Sequence, residues 1–560
     1  MWRQLRRYGA LGWWHLSEAL LRLLRRRPAY GILKLRLAGD LAEEPIEYRL
    51  LGLSRRTRGD YLSWIALLRW AREDPHLRAV LVCCDEIHTG WAKVQELHRG
   101  LRALRAAGKT VWVHLAHAGI HEYVLAAAAD RVLLAPAGTL GVVGLSSEVT
   151  FFAGALNKLG VEAEVVHMGK YKSAAEIFTR TAMSEPHREM VEGLVHDLYN
   201  QIVDLIAAGR HMDRAQVHTL LDAGPFVARE AQRVGLVDGL LYEDEAEEQL
   251  GAHCDHAASI EMADYISRRS KLVHREVLRH GGTVIGLLNL SGTVKTGESI
   301  PGPETASACG ATTIARDLKE LRERDDIGAV VVRISSPGGS GLASDLIWHE
   351  VARTRQTKPV VVSFGDVAAS GGYYVGVAGS PVVAEAGTIT GSIGVVAGKA
   401  LLRGLYDRLG ITKQVVNQGR HAALYSDYVP LGDEGRQLLQ NEAEFFYTDF
   451  VQKVATGRHL SETAVAAAAE GRVWTGRQAH ALGLVDQLGG LEQALDEAKV
   501  LMGRAPGELV AIERYPKPKR PWRVSLQLNP PFTQWVGLPW LRFLSREHVW
   551  AVLPFHFRFF

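Results

Sequence analysis

Cysteine is scarce in this chain, four residues in 560. So few cannot staple a fold of this size, which excludes a disulfide scaffold. Cys83 and Cys84 are adjacent in an apolar run that reads as a strand, so they point to opposite faces and pack as small hydrophobes. Cys254 and Cys309 fall in predicted loops, and a pairing between them stays open. No histidine or cysteine cluster has metal-ligand spacing, so neither a metal nor another cofactor is expected. A basic stripe is missing as well. The net charge is +3, yet residues 1–27 hold seven arginines against Glu18, and the remaining 533 residues sum to −3. Nucleic-acid binders spread lysine and arginine over a folded face, so no nucleic-acid partner is expected.

The amino terminus lacks an uninterrupted hydrophobic span. The run from Gly9 to Leu24 is broken by His15, Ser17, Glu18 and Arg22. It falls short of the roughly 20 apolar residues of a spanning helix, and the same breaks spoil a secretory signal peptide. What remains is a helix with Trp2, Leu5, Trp13, Leu16, Leu20, Leu23 and Leu24 among arginines, the pattern of an arm lying in a membrane interface. The rival is an amphipathic arm docked on its own protein.

What the chain does have is one template written twice, about 250 residues apart. Ala207 Ala208 Gly209 Arg210 His211 returns as Ala455 Thr456 Gly457 Arg458 His459, and Gly235 Leu236 Val237 Asp238 returns as Gly483 Leu484 Val485 Asp486. Hydrophobic content of 47% with 23% charged residues is globular composition, so each copy can bury a core. Strands are predicted at Ile32–Leu37, Ala79–Cys84 and Val111–Leu115, with counterparts at Val284–Leu290, Ala329–Ile334 and Val360–Phe364. Helices are predicted between them at Tyr61–Arg72 and Val94–Ala107, with counterparts at Ala311–Glu323 and Leu342–Arg355. Near-continuous apolar strands alternating with helices predict an α/β fold with parallel sheets buried on both faces. A long helix follows in each copy, Pro186–Ala208 and Asp433–Ala455. The organisation expected is an arm (1–29), a first repeat (30–256), a helical linker (257–282), a second repeat (283–504) and a basic, aromatic tail (505–560). That tail carries Trp535, Trp540, Phe543 and Trp550 and reads as a membrane or subunit contact.

Each copy lacks a group that the other keeps. Gly169 Lys170 Tyr171 Lys172 Ser173 Ala174 aligns with Gly419 Arg420 His421 Ala422 Ala423 Leu424, while Ala369 Ser370 Gly371 Gly372 Tyr373 Tyr374 aligns with the stretch Ala118 to Tyr123. One hydroxyl and one amine in two degenerate halves point to a composite site. Ser370, between a strand and two glycines, suits a nucleophile on a sharp turn at a helix start. Ser336 Pro337 Gly338 Gly339 Ser340 follows another strand, where glycines let backbone N–H groups approach a carbonyl. Together with the Gly371 amide it can form a two-donor oxyanion hole. A base is harder to find, because His349, His421, His459 and His480 sit in helical or repeat-like settings. An enclosed lysine serves if burial lowers its pKa, and Lys172, followed by Ser173 and two alanines, suits that better than Lys170.

These strings, in this order and in these halves, resemble the long, duplicated signal peptide peptidases of serine peptidase family S49, over about residues 30–500. The resemblance implies tandem crotonase/ClpP-like domains built of ββα spiral units, and a homotetramer enclosing its sites. It implies a Ser–Lys dyad of Ser370 as nucleophile and Lys172 as general base, an oxyanion hole at Gly338 and Gly371 with Gly339 beside them, and Ser392 orienting the lysine. Peptide substrates such as signal-peptide remnants are implied, with the protein at a bacterial inner (plasma) membrane, which it would contact through its arm and tail. Long members carry a membrane-spanning anchor, which the interrupted arm here does not match. Two rivals share parts of this pattern: a crotonase-type enzyme acting on acyl-CoA thioesters, and a catalytically silent membrane scaffold of peptidase descent.

Overall fold

The computed structural model describes residues 30–43, 47–50, 53–56, 60–279, 283–302, 307–517 and 549–552. The amino-terminal arm, and all of the tail's tryptophans and phenylalanines except Trp550, lie outside them. Among the described residues, no helix is long and apolar enough to cross a membrane.

The first copy runs β1 (Ile32–Asp40), α1 (Tyr61–Glu73), β2 (Ala79–His88), α2 (Trp91–Ala106), β3 (Thr110–Leu115), α3 (Ile120–Ala126), β4 (Arg131–Leu134), β5 (Glu162–Met168), α4 (Glu185–Arg210), β6 (Gly239–Leu240), β7 (Ser259–Glu261) and α5 (Met262–Arg279). Six of these strands form a parallel sheet in the order β6-β4-β3-β2-β1-β7. Its apolar runs are buried on both faces. Along β2, Val80, Val82 and Cys84 join one hydrophobic cluster, and Ala79, Leu81 and Cys83 join another with Leu250. The period of two along a strand thus separates the adjacent cysteines as expected.

The second copy repeats the plan: β8 (Val284–Ser291), β9 (Thr293–Lys295), β10 (Ala308–Gly310), α6 (Ala311–Glu323), β11 (Ile327–Ser336), β12 (Gly338–Ser340), α7 (Gly341–Arg355), β13 (Val360–Ala369), α8 (Gly371–Gly376), β14 (Val382–Ala384), β15 (Ile389–Gly391), β16 (Val395–Leu401), α9 (Gly432–Arg458), β17 (Val473–Thr475), β18 (Ala511–Tyr515) and β19 (Val549–Val552). Its main sheet runs β17-β15-β13-β11-β8-β18, with β14 beside β13. Matching bonds mark the duplication. The Tyr123 hydroxyl donates to the Leu236 carbonyl at 2.8 Å, as Tyr373 does to Leu484 at 2.9 Å. Arg210 pairs with Asp238 as Arg458 pairs with Asp486, and His211 and His459 both end their long helices in the left-handed conformation.

Several elements depart from the sequence reading. β13 does not stop at Phe364 but continues through Gly365 and Asp366 to Ala369. A carboxylate is tolerated there because Asp366 accepts from the Gly90 amide at 3.2 Å and the Lys93 amide at 3.0 Å, capping α2 of the other copy. The linker is not purely helical, since β7 precedes α5 and pairs parallel with β1; β18 pairs with β8 in the same way, so the structural repeat extends past Ala505. Both edge strands mix charged and apolar residues and carry no hydrophobic run. Cys309 lies in β10 and Cys254 caps a helix rather than occupying loops, and all four cysteines are buried.

The two copies share one core. Ile285, Leu287, Ala329, Val331 and Val361 of the second sheet pack into the cluster of Leu33, Tyr61 and Val94, while Leu288, Val330, Val332 and Val360 face the second copy's own helices. A buried charge network crosses the same boundary. Arg333 of β11 donates to the Glu43 carboxylate at 2.9 Å and to the Ser363 hydroxyl at 2.9 Å, and Lys93 lies 3.5 Å from Glu43 and 3.4 Å from Asp366. Burial pushes the Glu43 carboxyl up, but Arg333 and Lys93 together outweigh it and hold the group ionised.

Candidate active site

Ser370 sits between the last residue of β13 and the first of α8, with φ 56° and ψ −117°. A side chain at positive φ stores about 1–3 kcal/mol of strain, so the surroundings must hold it there. They do so by several routes. The Ser370 amide donates to the Gly391 carbonyl at 2.8 Å, and its own carbonyl accepts from Tyr374 at 2.8 Å. Gly372 lies so close to the turn after β11 that a Cβ on it would stand 2.8 Å from the Ser336 carbonyl oxygen. The result is a serine fixed at a helix start, 0% exposed.

Lys172 follows β5 and is 1% exposed. Its amine is 2.7 Å from Ser370 Oγ, 2.9 Å from Ser392 Oγ and 3.1 Å from the Ser392 carbonyl oxygen. Burial alone pushes the amine well below its ordinary 10.5; no carboxylate acts against it. Lys170 is the contrast, exposed and ion-paired with Glu470 at 3.3 Å. The lysine of the first copy and the serine of the second, which the sequence placed on separate halves, are therefore in direct contact, with Ser392 on the amine.

A turn that sequence reasoning did not single out holds them together. The Glu470 carbonyl accepts from the Tyr171 amide at 2.8 Å, the Gly471 amide donates to the Ile393 carbonyl at 2.7 Å, and the Arg472 carbonyl accepts from the Ser392 amide at 2.7 Å. Gly471, at φ 78°, has no room for a side chain: a Cβ would stand 2.5 Å from Lys172 Cβ and 2.6 Å from its backbone nitrogen. Arg472 also reaches Glu189 at 2.7 Å and the Tyr171 hydroxyl at 3.0 Å. In the sequence, Glu470 Gly471 is an ordinary turn signal, because closeness to a residue 299 positions away leaves no local mark.

Of the glycines predicted as oxyanion donors, Gly371 directly follows Ser370, and Gly338 and Gly339 lie in β12, which packs against α8. Gly371 is the first residue of α8, where an amide has no acceptor within its own helix. Gly338 has φ 100°, a conformation that favours glycine, and its amide donates to Ser336 Oγ at 3.1 Å. Gly339 must be glycine because a Cβ would stand 1.9 Å from the Val294 carbonyl oxygen of β9.

A protein-family model described as peptidase family S49 matches the chain twice, over residues 103–255 and 352–504, which together make up more than half of it. The chain belongs to peptidase family S49. Several of the relatives it matches carry protease names. It is 33% identical over 437 residues to Serine protease SPPA, chloroplastic, of Arabidopsis thaliana, covering 77% of this chain and 64% of that protein, so it spans just under two thirds of that relative's length. It is 30% identical over 455 residues to Protease 4 of Haemophilus influenzae, covering 78% of this chain and 72% of that one. Among solved structures, a ClpP1 mutant from Listeria monocytogenes matches with a TM-score of 0.24 at 13% identity, over 39% of this chain and 98% of that one. An enoyl-CoA hydratase from Polaromonas sp. JS666 matches with a TM-score of 0.23 at 17% identity, over 39% and 76%.

Proposed function

We propose that this S49 protein is a serine endopeptidase that cleaves short hydrophobic peptides, such as signal-peptide remnants, through a Ser370–Lys172 dyad. One observation carries the reading: a buried amine with a lowered pKa lies 2.7 Å from the hydroxyl of a serine held in a strained turn. A neutral lysine can take the proton from Ser370 Oγ as that oxygen attacks the scissile carbonyl. The amides of Gly371 and of the Gly338–Gly339 turn then receive the oxyanion, each such donor being worth about 2.7–4 kcal/mol of barrier. Gly338 would exchange its bond to Ser336 for this one. Lys172 returns the proton to the leaving amine, and the same amine activates the water that hydrolyses the acyl enzyme. Ser392 keeps the amine aimed through both cycles. The protease names of the relatives favour this reading over thioester chemistry.

The pH profile tests the base. Only unprotonated Lys172 accepts a proton, so kcat/KM should fall tenfold per pH unit below the folded pKa of the amine, along a one-proton limb. Because desolvation and not a neighbouring charge lowers that pKa, the limb should move little with salt. A fluorophosphonate should label Ser370 with the same pH dependence. Labelling that rises only near pH 10.5, the ordinary lysine value, would count against the dyad.

The enclosing assembly and the membrane belong to the same proposal. β5 of the first copy pairs with β16 of the second inside one chain. The repeat offset makes residues 412–418 the counterpart of β5 and residues 145–151 the counterpart of β16, and neither segment forms a strand. Residues 412–418 are exposed throughout, Val416 by 97%. Joining them between chains, as β5 and β16 join within one, would build a head-to-tail homo-oligomer, the tetramer of the family resemblance. The basic arm and aromatic tail would seat it on a membrane. Sedimentation giving a monomer, or no flotation with anionic vesicles, would remove the corresponding part.

A further inference from the structure

The buried lysine of the site lies two residues from an exposed one. Lys172 is 1% exposed, yet Lys170 stands in solvent on the same turn, and so does Glu189 of α4 on the facing helix. The wall between the Lys172 amine and water is therefore thin. The first copy contributes Tyr171 to it, and the second contributes Gly471, whose backbone packs on Lys172 itself, followed by Arg472.

Arg472 covers that seam from outside. Its guanidinium lies between two rings, with Cζ 4.7 Å from the centre of Tyr171 and 4.6 Å from the centre of Trp474. A flat, weakly hydrated cation stacks on aromatic faces in a way that an ammonium does not. Both rings are fixed. The Trp474 indole N–H donates to the Ala468 carbonyl at 2.8 Å, and a Cβ on Gly391 would stand 2.8 Å from Trp474 Cδ1. The Tyr171 hydroxyl donates to Glu189 at 3.0 Å, and the same carboxylate accepts from Arg472 at 2.7 Å. Glu189 is open to water, so this ion pair is weak by itself and the stack does more of the holding.

Charge is not the route from Arg472 to the amine. The charged and titratable groups around the seam are Glu189 of α4, Lys170 and Glu470 beside Tyr171, His167 of β5 at the Gly169 carbonyl, and Tyr447 of α9 beside Glu470. Burial, and none of these, is what lowers the Lys172 pKa.

We propose that Arg472 is a positioning residue for the dyad: wedged between Tyr171 and Trp474, it seals the seam between the two copies and keeps water off the Lys172 amine. This rests on the Ser370–Lys172 reading above. With the wedge removed, water enters beside Gly471, the charged form of the amine regains hydration, and the lysine moves back toward its ordinary 10.5.

Fluorophosphonate labelling of Ser370 in the full chain, followed across pH, tests this without requiring peptide turnover. In Arg472→Ala the limb should move toward 10.5 by about one pH unit or more. Labelling should then be slower by about tenfold or more at any pH below both limbs, and should rejoin the wild-type rate above the displaced one. Arg472→Lys keeps the charge beside Glu189 but not the flat group between the rings, so it should move the limb in the same direction by less; it also serves if the alanine variant melts below the assay temperature. A limb that stays at the wild-type position in the folded variants overturns the inference. So does labelling slowed by one factor at every pH, the mark of a merely structural role. A wild type that labels only near 10.5 removes the dyad and this inference with it, whereas a lowered wild-type limb with unshifted variants removes this inference alone.

Discussion

Lys172→Met should abolish peptide hydrolysis, with kcat expected to fall by about 10⁴-fold or more, and Ser370→Ala should do the same. Groups that act as one unit in serine peptidases each cost nearly the full catalytic effect when removed alone, so the double variant should be little worse than either single one. Folding should survive, because methionine matches the length and apolar stem of lysine. The pH dependence of stability then separates a catalytic lysine from a merely structural one. In the unfolded chain the amine binds a proton below its ordinary 10.5, whereas in the folded chain burial keeps it neutral to a much lower pH. Between those two values the unfolded state binds more protons, so wild-type stability gains from this group as pH rises toward 10.5. The hydrogen bonds and packing lost with the lysine do not vary with pH over that window. Lys172→Met should therefore compare best with the wild type near neutrality and progressively worse toward pH 10.5, as read by thermal melts across that range. A difference in melting temperature that stays flat with pH would mean that the amine is charged in the fold, and so no base at neutral pH.

Glu43→Ala should destabilise the protein by about 3–5 kcal/mol, the cost of leaving a buried cation without its partner. Arg333 is 2% exposed and, among the described residues, finds its only ion pair in Glu43, at 2.9 Å. Its remaining bonds, to Ser363 Oγ and the Phe364 carbonyl, are to neutral groups. Glu43 belongs to the first copy and Arg333 to the second, so the loss falls on the boundary that brings Lys172 to Ser370, and activity should fall with stability. The double variant Glu43→Ala with Arg333→Met should recover much of the deficit, because it removes the orphaned charge as well. Urea melts of the four proteins close this cycle. A single variant within 1 kcal/mol of the wild type would show that water or relaxation satisfies Arg333 and that the network does not fasten the copies.

Much of the fold was legible because its information is local. The helix Ala311–Glu323 matches its predicted bounds residue for residue, and the paired apolar runs appear as β2 and β11. Where the reading stopped short, a partner distant in sequence had changed the local balance. Asp366 reads as a turn residue until the amides of Gly90 and Lys93 are set against it. Gly471 reads as a loop glycine until Lys172 is packed on it. β19 reads as part of an aromatic tail, since nothing in Val549 to Val552 names β12 and β16 as its neighbours.

By itself, the sequence determined the duplication, the α/β class and the list of groups able to act, since composition, period and repeat spacing belong to the chain. Only the tertiary structure decided which of those groups meet. Closing a contact across 198 residues depends on the shared core and the Glu43–Arg333 boundary, which no local window contains. Burial made the rest: the same side chain that would be an ordinary cation in solvent has its pKa pushed well below the usual lysine value once 1% exposed beside Ser370.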